Sequence, residues 1–176
     1  MLDEKVAKLL NTQINKEFYS AYLYLSFSNY FTQQGLDGFA NWYSVQAQEE
    51  RDHALLFMKY MQNNDAVVTL EAVEQPIGKF ADYASVLSAL EHERYVTGLI
   101  NNIYDAAHTV KDYRTVQFLD WFVKEQGEEE KKRRRPGPQD GALRLRPQGA
   151  VYAGQRAGGA HIRGSDADAV TRWREG

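Results

Sequence analysis

The chain has 176 residues, enough for one domain with a sizeable core and too few to expect two. It contains no cysteine, which excludes disulfides, thiolate metal sites and a cysteine nucleophile. Glu, Asp, His, Tyr and Gln are left for metal chemistry, a donor set that selects iron, manganese or zinc. The net charge of −3 conceals an asymmetry: residues 1–130 carry 7 Lys and 3 Arg against 20 acids, a net of −10, and residues 131–176 carry 2 Lys and 9 Arg against 4 acids, a net of +7.

The start, Met1-Leu2-Asp3-Glu4-Lys5, has no apolar h-region, and no stretch is long and apolar enough to span a membrane, so a cytoplasmic protein is expected. Four helical stretches follow. The first is predicted from about Asp3 to Gln34, stopping at Gly35, with Val6, Leu10, Gln13, Glu17, Ala21, Tyr24, Phe27 or Ser28, and Phe31 inward at a 3.6-residue period. The second runs from about Asp37 to Asn64, with Phe39, Trp42, Gln46, Glu50, His53, Phe57 and Tyr60 on one face. Val67–Tyr83, with Pro76 and Gly78, is too irregular for a helix and has the length of a crossover rather than a tight turn. The third helix, about Ala84 to His108, aligns Val86, Leu90, Glu93, Val96, Ile100, Ile103 and Ala107. The fourth, from near Asp112, aligns Thr115, Phe118, Phe122, Gln126 and Glu129. The pattern is all-α: a four-helix bundle with one long crossover between helices 2 and 3.

All four inward faces are interrupted at mid-length by polar groups. Buried carboxylates are normally paired or coordinate a metal. The first helix supplies Glu17; the second, Glu50 and His53 at i, i+3; the third, Glu93; the fourth, Gln126 and Glu129, again at i, i+3. One Glu-x-x-His alone reads as a surface pair, and the four together could be a buried salt-bridge network, but buried charge clusters seldom persist for stability alone. Four stripes broken at matching depth point to a carboxylate-bridged di-iron centre.

The segments Asn15-Lys16-Glu17-Phe18-Tyr19-Ser20-Ala21-Tyr22-Leu23-Tyr24-Leu25, Gln48-Glu49-Glu50-Arg51-Asp52-His53-Ala54, Glu91-His92-Glu93 and Trp121 to Glu130 resemble the bacterial non-haem ferritins, over about the first 130 residues. The resemblance implies a ferritin-like bundle that oxidises Fe²⁺ with dioxygen, a ferroxidase, and stores the ferric product as mineral in hollow shells of 24 subunits. It assigns the first iron to Glu17, Glu50 and His53. It assigns the second to Glu50 as bridge with Glu93 and Glu129, and Gln126 close by. A third iron is implied by Glu49, Glu125, Glu128 and Glu129, for which a solvated acidic face is the alternative reading. Tyr24 is either a hydrogen-bond partner or electron donor to the site, or ordinary core, and Trp121 is read as core or as a residue behind the ligands. Bacterioferritins, rubrerythrins and di-iron oxygenases usually carry a second Glu-x-x-His on the fourth helix. Gln126-x-x-Glu129 stands there instead, which weakens the second site and suits iron in transit. Arg51 stands where bacterioferritins place a haem-ligating Met, so no haem is expected. His92, His108 and His161 have no partner pattern and read as surface or packing residues.

The last 46 residues depart from this pattern. Pro136-Gly137-Pro138 ends the fourth helix at about Arg135, giving a bundle over 1–135 and an irregular tail over 136–176 that reads as disordered. Moving the frame by one nucleotide in the adenine run encoding Lys131-Lys132 gives, from Arg133 onward and with permissible codons, NADDLVRKMELFGSDPKGLYMLDSELAAR, which looks like the missing end of a ferritin. The tail is therefore read as frameshifted. A basic tail for nucleic acid is the competing reading, carried by the Lys131–Arg135 cluster; no aromatics interleave that cluster, and Asp140, Asp166 and Asp168 dilute the charge of the rest. Two further alternatives to an iron store stand: a di-iron cofactor enzyme of the rubrerythrin or oxygenase type, and a non-functional ferritin product with a shortened fourth helix.

Overall fold

A computed structural model of the chain describes residues 2–80 and 89–134, with side chains for 2–80 and 91–131. It contains four helices: α1 (Glu4–Gln33), α2 (Asp37–Asn63), α3 (Ala89–Thr109) and α4 (Tyr113–Arg134). No strand occurs among the described residues. The architecture is an all-α four-helix bundle, as the periodicity predicts. The expected first turns of the third helix with Val86, the side chain of Leu90, the end of the connection at Tyr83, and the chain from Arg135 onward with His161 lie outside the described residues.

Helix ends follow from local chemistry. Asp3 caps α1, its Oδ1 accepting from Lys5 N at 3.0 Å and Val6 N at 3.3 Å. At the other end Leu36 N reaches back to Phe31 O at 2.9 Å, and Gly35 takes the left-handed conformation (φ 69°) that this closure requires. The same six-to-one closure ends α2, from Ala66 N to Met61 O at 3.0 Å, and α3, from Asp112 N to Ala107 O at 2.9 Å. There the left-handed residues are Asp65 (φ 56°) and Lys111 (φ 58°), which carry a Cβ and bear a cost glycine avoids. Residues 64–80 run without regular structure. Asn11 accepts from Thr69 N at 2.8 Å and donates to Thr69 O at 3.0 Å, and Asn15 Nδ2 donates to Ala72 O at 3.0 Å. Ser26 Oγ donates to Ile77 O at 2.5 Å. This polar face of α1 satisfies backbone groups that an irregular segment cannot satisfy by itself.

The described residues form two compact units, and α1 and α2 contribute to both. One comprises 2–16, 57–72, 80 and 89–134. In it α3 packs along α4, and Val6, Leu10, Phe57, Met61, Ile100, Ile103, Leu119 and Phe122 are buried. Tyr60 stacks on Phe118 with ring centroids 4.0 Å apart, and Phe57 lies 4.3 Å from Phe122. The Tyr60 hydroxyl ends in a polar chain: it lies 2.8 Å from Thr115 Oγ1, which donates to Asp112 Oδ2 at 2.6 Å, while Asp112 Oδ1 caps α4 at Thr115 N. Burial raises the Tyr60 pKa, and the Asp112 charge adds to it. A Thr115 hydroxyl turned toward a phenolate, and the Arg114 charge, offset part of the rise.

The other unit comprises 17–56 and 73–79. Its core is aromatic: Phe31 stacks on Tyr43 at 5.4 Å and lies 5.3 Å from Phe39, while Tyr24 meets Phe27 at 5.8 Å and Tyr43 at 6.0 Å. Phe27 and not Ser28 takes the inward place on α1; Ser28 Oγ instead donates to Ala40 O on α2 at 2.7 Å. Fully burying each such ring contributes about 1.5–3 kcal/mol.

Candidate metal centre

Glu17 on α1 and Glu50 and His53 on α2 fall on the buried lines predicted for their helices. Glu17 is 0% exposed and Glu50 5% exposed, and His53 is half-buried. One ligand atom from each lies within 4.8 Å of the other two. His53 Nδ1 is 3.5 Å from Glu50 Oε2 and 4.0 Å from Glu17 Oε2, so one imidazole nitrogen faces both carboxylates. Two ligands each about 2.1 Å from a metal cannot stand more than about 4.2 Å apart. The two measured separations fit under that ceiling without rearrangement. Two carboxylate oxygens and an imidazole nitrogen form the hard-to-intermediate donor set that suits iron, and the site meets it on residues already held by helix and core.

The i, i+3 spacing on α2 puts Glu50 and His53 on one face, and the aromatic packing of Tyr24, Phe27 and Tyr43 fixes α1 and α2 in this unit. Tyr24 is 0% exposed and embedded among those rings. Glu49 is half-buried and accepts from Gln46 Nε2 along α2. Arg51 is exposed and paired with Asp52 at 2.8 Å.

The other predicted residues belong to the other unit. Glu93 on α3 and Gln126 and Glu129 on α4 are 1%, 4% and 4% exposed. Glu125 is half-buried and Glu128 exposed. Among the described residues, Glu17, Glu50 and His53 are the three metal-ligating side chains gathered within 4.8 Å; Glu93, Glu125, Glu128 and Glu129 do not enter such a group. Two residues there were not singled out in the sequence. Thr97 Oγ1 lies 3.0 Å from Glu130 Oε1, 3.4 Å from Gln126 Oε1 and 3.0 Å from the Glu93 carbonyl oxygen. Their signal was available: Thr97 follows Glu93 by four residues and Glu130 follows Gln126 by four, on shared helix faces. Trp121 is half-buried against Phe122, His92 lies beside Tyr95 and exposed His108 beside Tyr113.

A four-helix bundle with carboxylates and a Glu-x-x-His pair on its buried faces defines the class of carboxylate metal-binding bundles. Residues 7–134 match the family model for ferritin, a ferritin-like domain, and the chain belongs to the ferritin family. It is 44% identical over 131 residues to a bacterial non-heme ferritin of Campylobacter jejuni, which covers 74% of this chain and 78% of that one. It is 40% identical over 132 residues to a probable bacterial non-heme ferritin-like protein of Haemophilus influenzae, covering 74% and 80%. Among solved structures it is similar to an open pore ferritin from the archaeon Archaeoglobus fulgidus, with a TM-score of 0.85, 34% identity, and coverage of 92% of this chain and 100% of that one. Family and fold support an iron-storage subunit. No described helix is long and apolar enough to cross a membrane.

Proposed function

We propose that the chain is a cytoplasmic ferroxidase subunit of an iron-storing shell, taking Fe²⁺ and dioxygen as substrates and passing Fe³⁺ on to a mineral store. The observation that carries this reading is the convergence of Glu17, Glu50 and His53, two buried carboxylates and an imidazole within 4.8 Å. Each Fe²⁺ gives one electron to dioxygen. The side chains supply charge and geometry: the carboxylates compensate the metal's charge in a buried site, and their hard oxygens favour the ferric product. His53 must offer Nδ1 unprotonated to bind a metal. Glu93, Gln126 and Glu129 are proposed as the ligands of a second iron, on the family pattern and on their burial, and Glu49, Glu125, Glu128 and Glu129 as those of a third. Tyr24 is proposed to serve the site as hydrogen-bond partner or electron donor. The net −10 of residues 1–130 draws cations toward the protein.

Aerobic addition of Fe²⁺, followed by ferric absorbance and by iron retained after gel filtration, tests the proposal. The wild-type chain is expected to retain iron far beyond about two per subunit, and His53→Ala and Glu17→Ala to lose the fast oxidation. Saturation near two irons per subunit would show a di-iron cofactor enzyme instead. Oxidation unchanged in both variants would sink the site assignment.

A further inference from the structure

The junction around Thr97 carries a consequence for Gln126. A hydroxyl has one proton and two lone pairs, so Thr97 can donate to only one of the three oxygens around it: Glu130 Oε1 at 3.0 Å, the Glu93 carbonyl at 3.0 Å, or Gln126 Oε1 at 3.4 Å. The Glu93 carbonyl is also the acceptor for the helical N–H of residue 97. The Glu130 carboxylate is the strongest acceptor, because a charge-assisted hydrogen bond is about twice as strong as a neutral one. With the proton on the Glu130 side, an amide oxygen at 3.4 Å sets lone pairs against lone pairs with no hydrogen between them. A half-turn about the last torsion of Gln126 exchanges Oε1 for Nε2, atoms of nearly equal size, and replaces that repulsion with an N–H donor.

We infer that Thr97 is a positioning residue for Gln126: held by Glu130, its hydroxyl accepts from Gln126 Nε2 and turns the Gln126 carbonyl oxygen to the opposite edge of the amide, where it can ligate a metal. The inference rests on the proposal that Gln126 belongs to the second iron-binding set. An amide offers a cation only its oxygen, and the NH₂ edge carries two protons that repel it. Thr97 therefore decides whether Gln126 is a ligand at all, and Glu130 serves the site without itself touching metal. A carboxylate at position 126 would need no such control, since both its oxygens are acceptors.

Two measurements on the full chain test this. Neutron diffraction from metal-free crystals in D₂O should place a deuteron of Gln126 Nε2 toward Thr97 Oγ1 and the Thr97 deuteron toward Glu130. An amide oxygen facing Thr97, or a Thr97 deuteron on the Glu93 carbonyl, overturns the inference. Anaerobic Co²⁺ titration, followed by visible absorption, should give at least two Co²⁺ per subunit in wild type, the two tightest being the first and second sites. In Thr97→Val, which deletes the hydroxyl at similar volume, the second Co²⁺ is expected to bind about tenfold more weakly with the first unchanged, and Thr97→Ser to stay within about twofold of wild type. Unchanged second-site binding in Thr97→Val, or a Thr97→Ser as weak as Thr97→Val, overturns it. A wild-type chain taking one Co²⁺ sinks the second iron-binding set and the inference with it. The neutron map then tells a failed ligand role, with the amide oriented as expected, from a wrong orientation.

Discussion

Replacing Thr115 by Val tests the polar chain Tyr60–Thr115–Asp112 most directly. The side chains are nearly the same size, so the core around Leu119 and Phe118 is left intact and the change is confined to one hydroxyl. That hydroxyl donates to Asp112 Oδ2 at 2.6 Å, so at 2.8 Å it accepts from Tyr60. Its removal leaves the Tyr60 O–H without an acceptor in a place where Tyr60 is 5% exposed and Thr115 0% exposed; an orphaned buried donor costs about 1–3 kcal/mol. Asp112 also loses a charge-assisted bond, but it is half-exposed and water recovers most of that, and its cap on Thr115 N survives. The expected loss is about 2–3 kcal/mol, read as a lower urea midpoint by circular dichroism at fixed protein concentration with an unchanged m value. Adding Tyr60→Phe to Thr115→Val should recover about 1 kcal/mol or more, because the orphan is gone. A loss under about 0.5 kcal/mol, or strictly additive effects in the double variant, would refute the reasoning.

Lys111→Gly should stabilise by about 0.5–1 kcal/mol in the same titration, since relief of the left-handed backbone outweighs the added freedom of the unfolded chain. Gly127→Ala should gain about 0.5–1 kcal/mol of helix propensity, because the added methyl meets nothing within 4 Å; a loss measured in the assembled protein would show that another subunit covers this face. The Tyr60 pKa is raised in the folded state, so its contribution is fully present below the unfolded value near 10 and fades as pH rises through the higher folded value. Tyr60→Phe should accordingly flatten the fall in stability above about pH 10 in denaturation measured across that range. Asn11→Ala with Asn15→Ala should leave global stability within about 1 kcal/mol yet expose residues 64–80 to faster limited proteolysis, since four of the bonds that tie that segment to α1 would be lost.

The helices were legible because 3.6-residue periodicity is the imprint of a one-sided core, and every described position on the α1 line except Ser28 is buried. The choice between Phe27 and Ser28 was not legible: both fit the period, and a short hydroxyl that reaches Ala40 O is a tertiary event. At the candidate site the sequence supplied Glu17, Glu50 and His53 because acids interrupting an apolar stripe are conspicuous. Thr97 and Glu130 escaped notice for the opposite reason. A threonine on a helix face reads as filler, and a third glutamate in Glu128-Glu129-Glu130 reads as solvated charge, until distances place one hydroxyl among three oxygens. Left-handed turns are legible only where glycine marks them: Gly35 announced the end of α1, whereas Asp65 and Lys111 do the same work without the signal.

The placement of aromatic residues bears on how the ligand set is tolerated. Buried carboxylates disfavour folding unless something compensates their charge, and His53 lies near both Glu17 and Glu50 at distances of 4.0 and 3.5 Å. The unit that contains them carries Tyr24, Phe27, Phe31, Phe39 and Tyr43 in mutual contact, a non-directional contribution of several kcal/mol that does not depend on metal. The other unit adds its own ring cluster of Phe57, Tyr60, Phe118 and Phe122, and Glu93, Gln126 and Glu129 are buried in that unit. On the proposed assignment, core and ligands have separable roles: the rings stabilise each unit without metal, so the carboxylates can be chosen for binding rather than for folding. Metal then stabilises by mass action on top of a structure that already stands, which is what a protein that must release its iron requires.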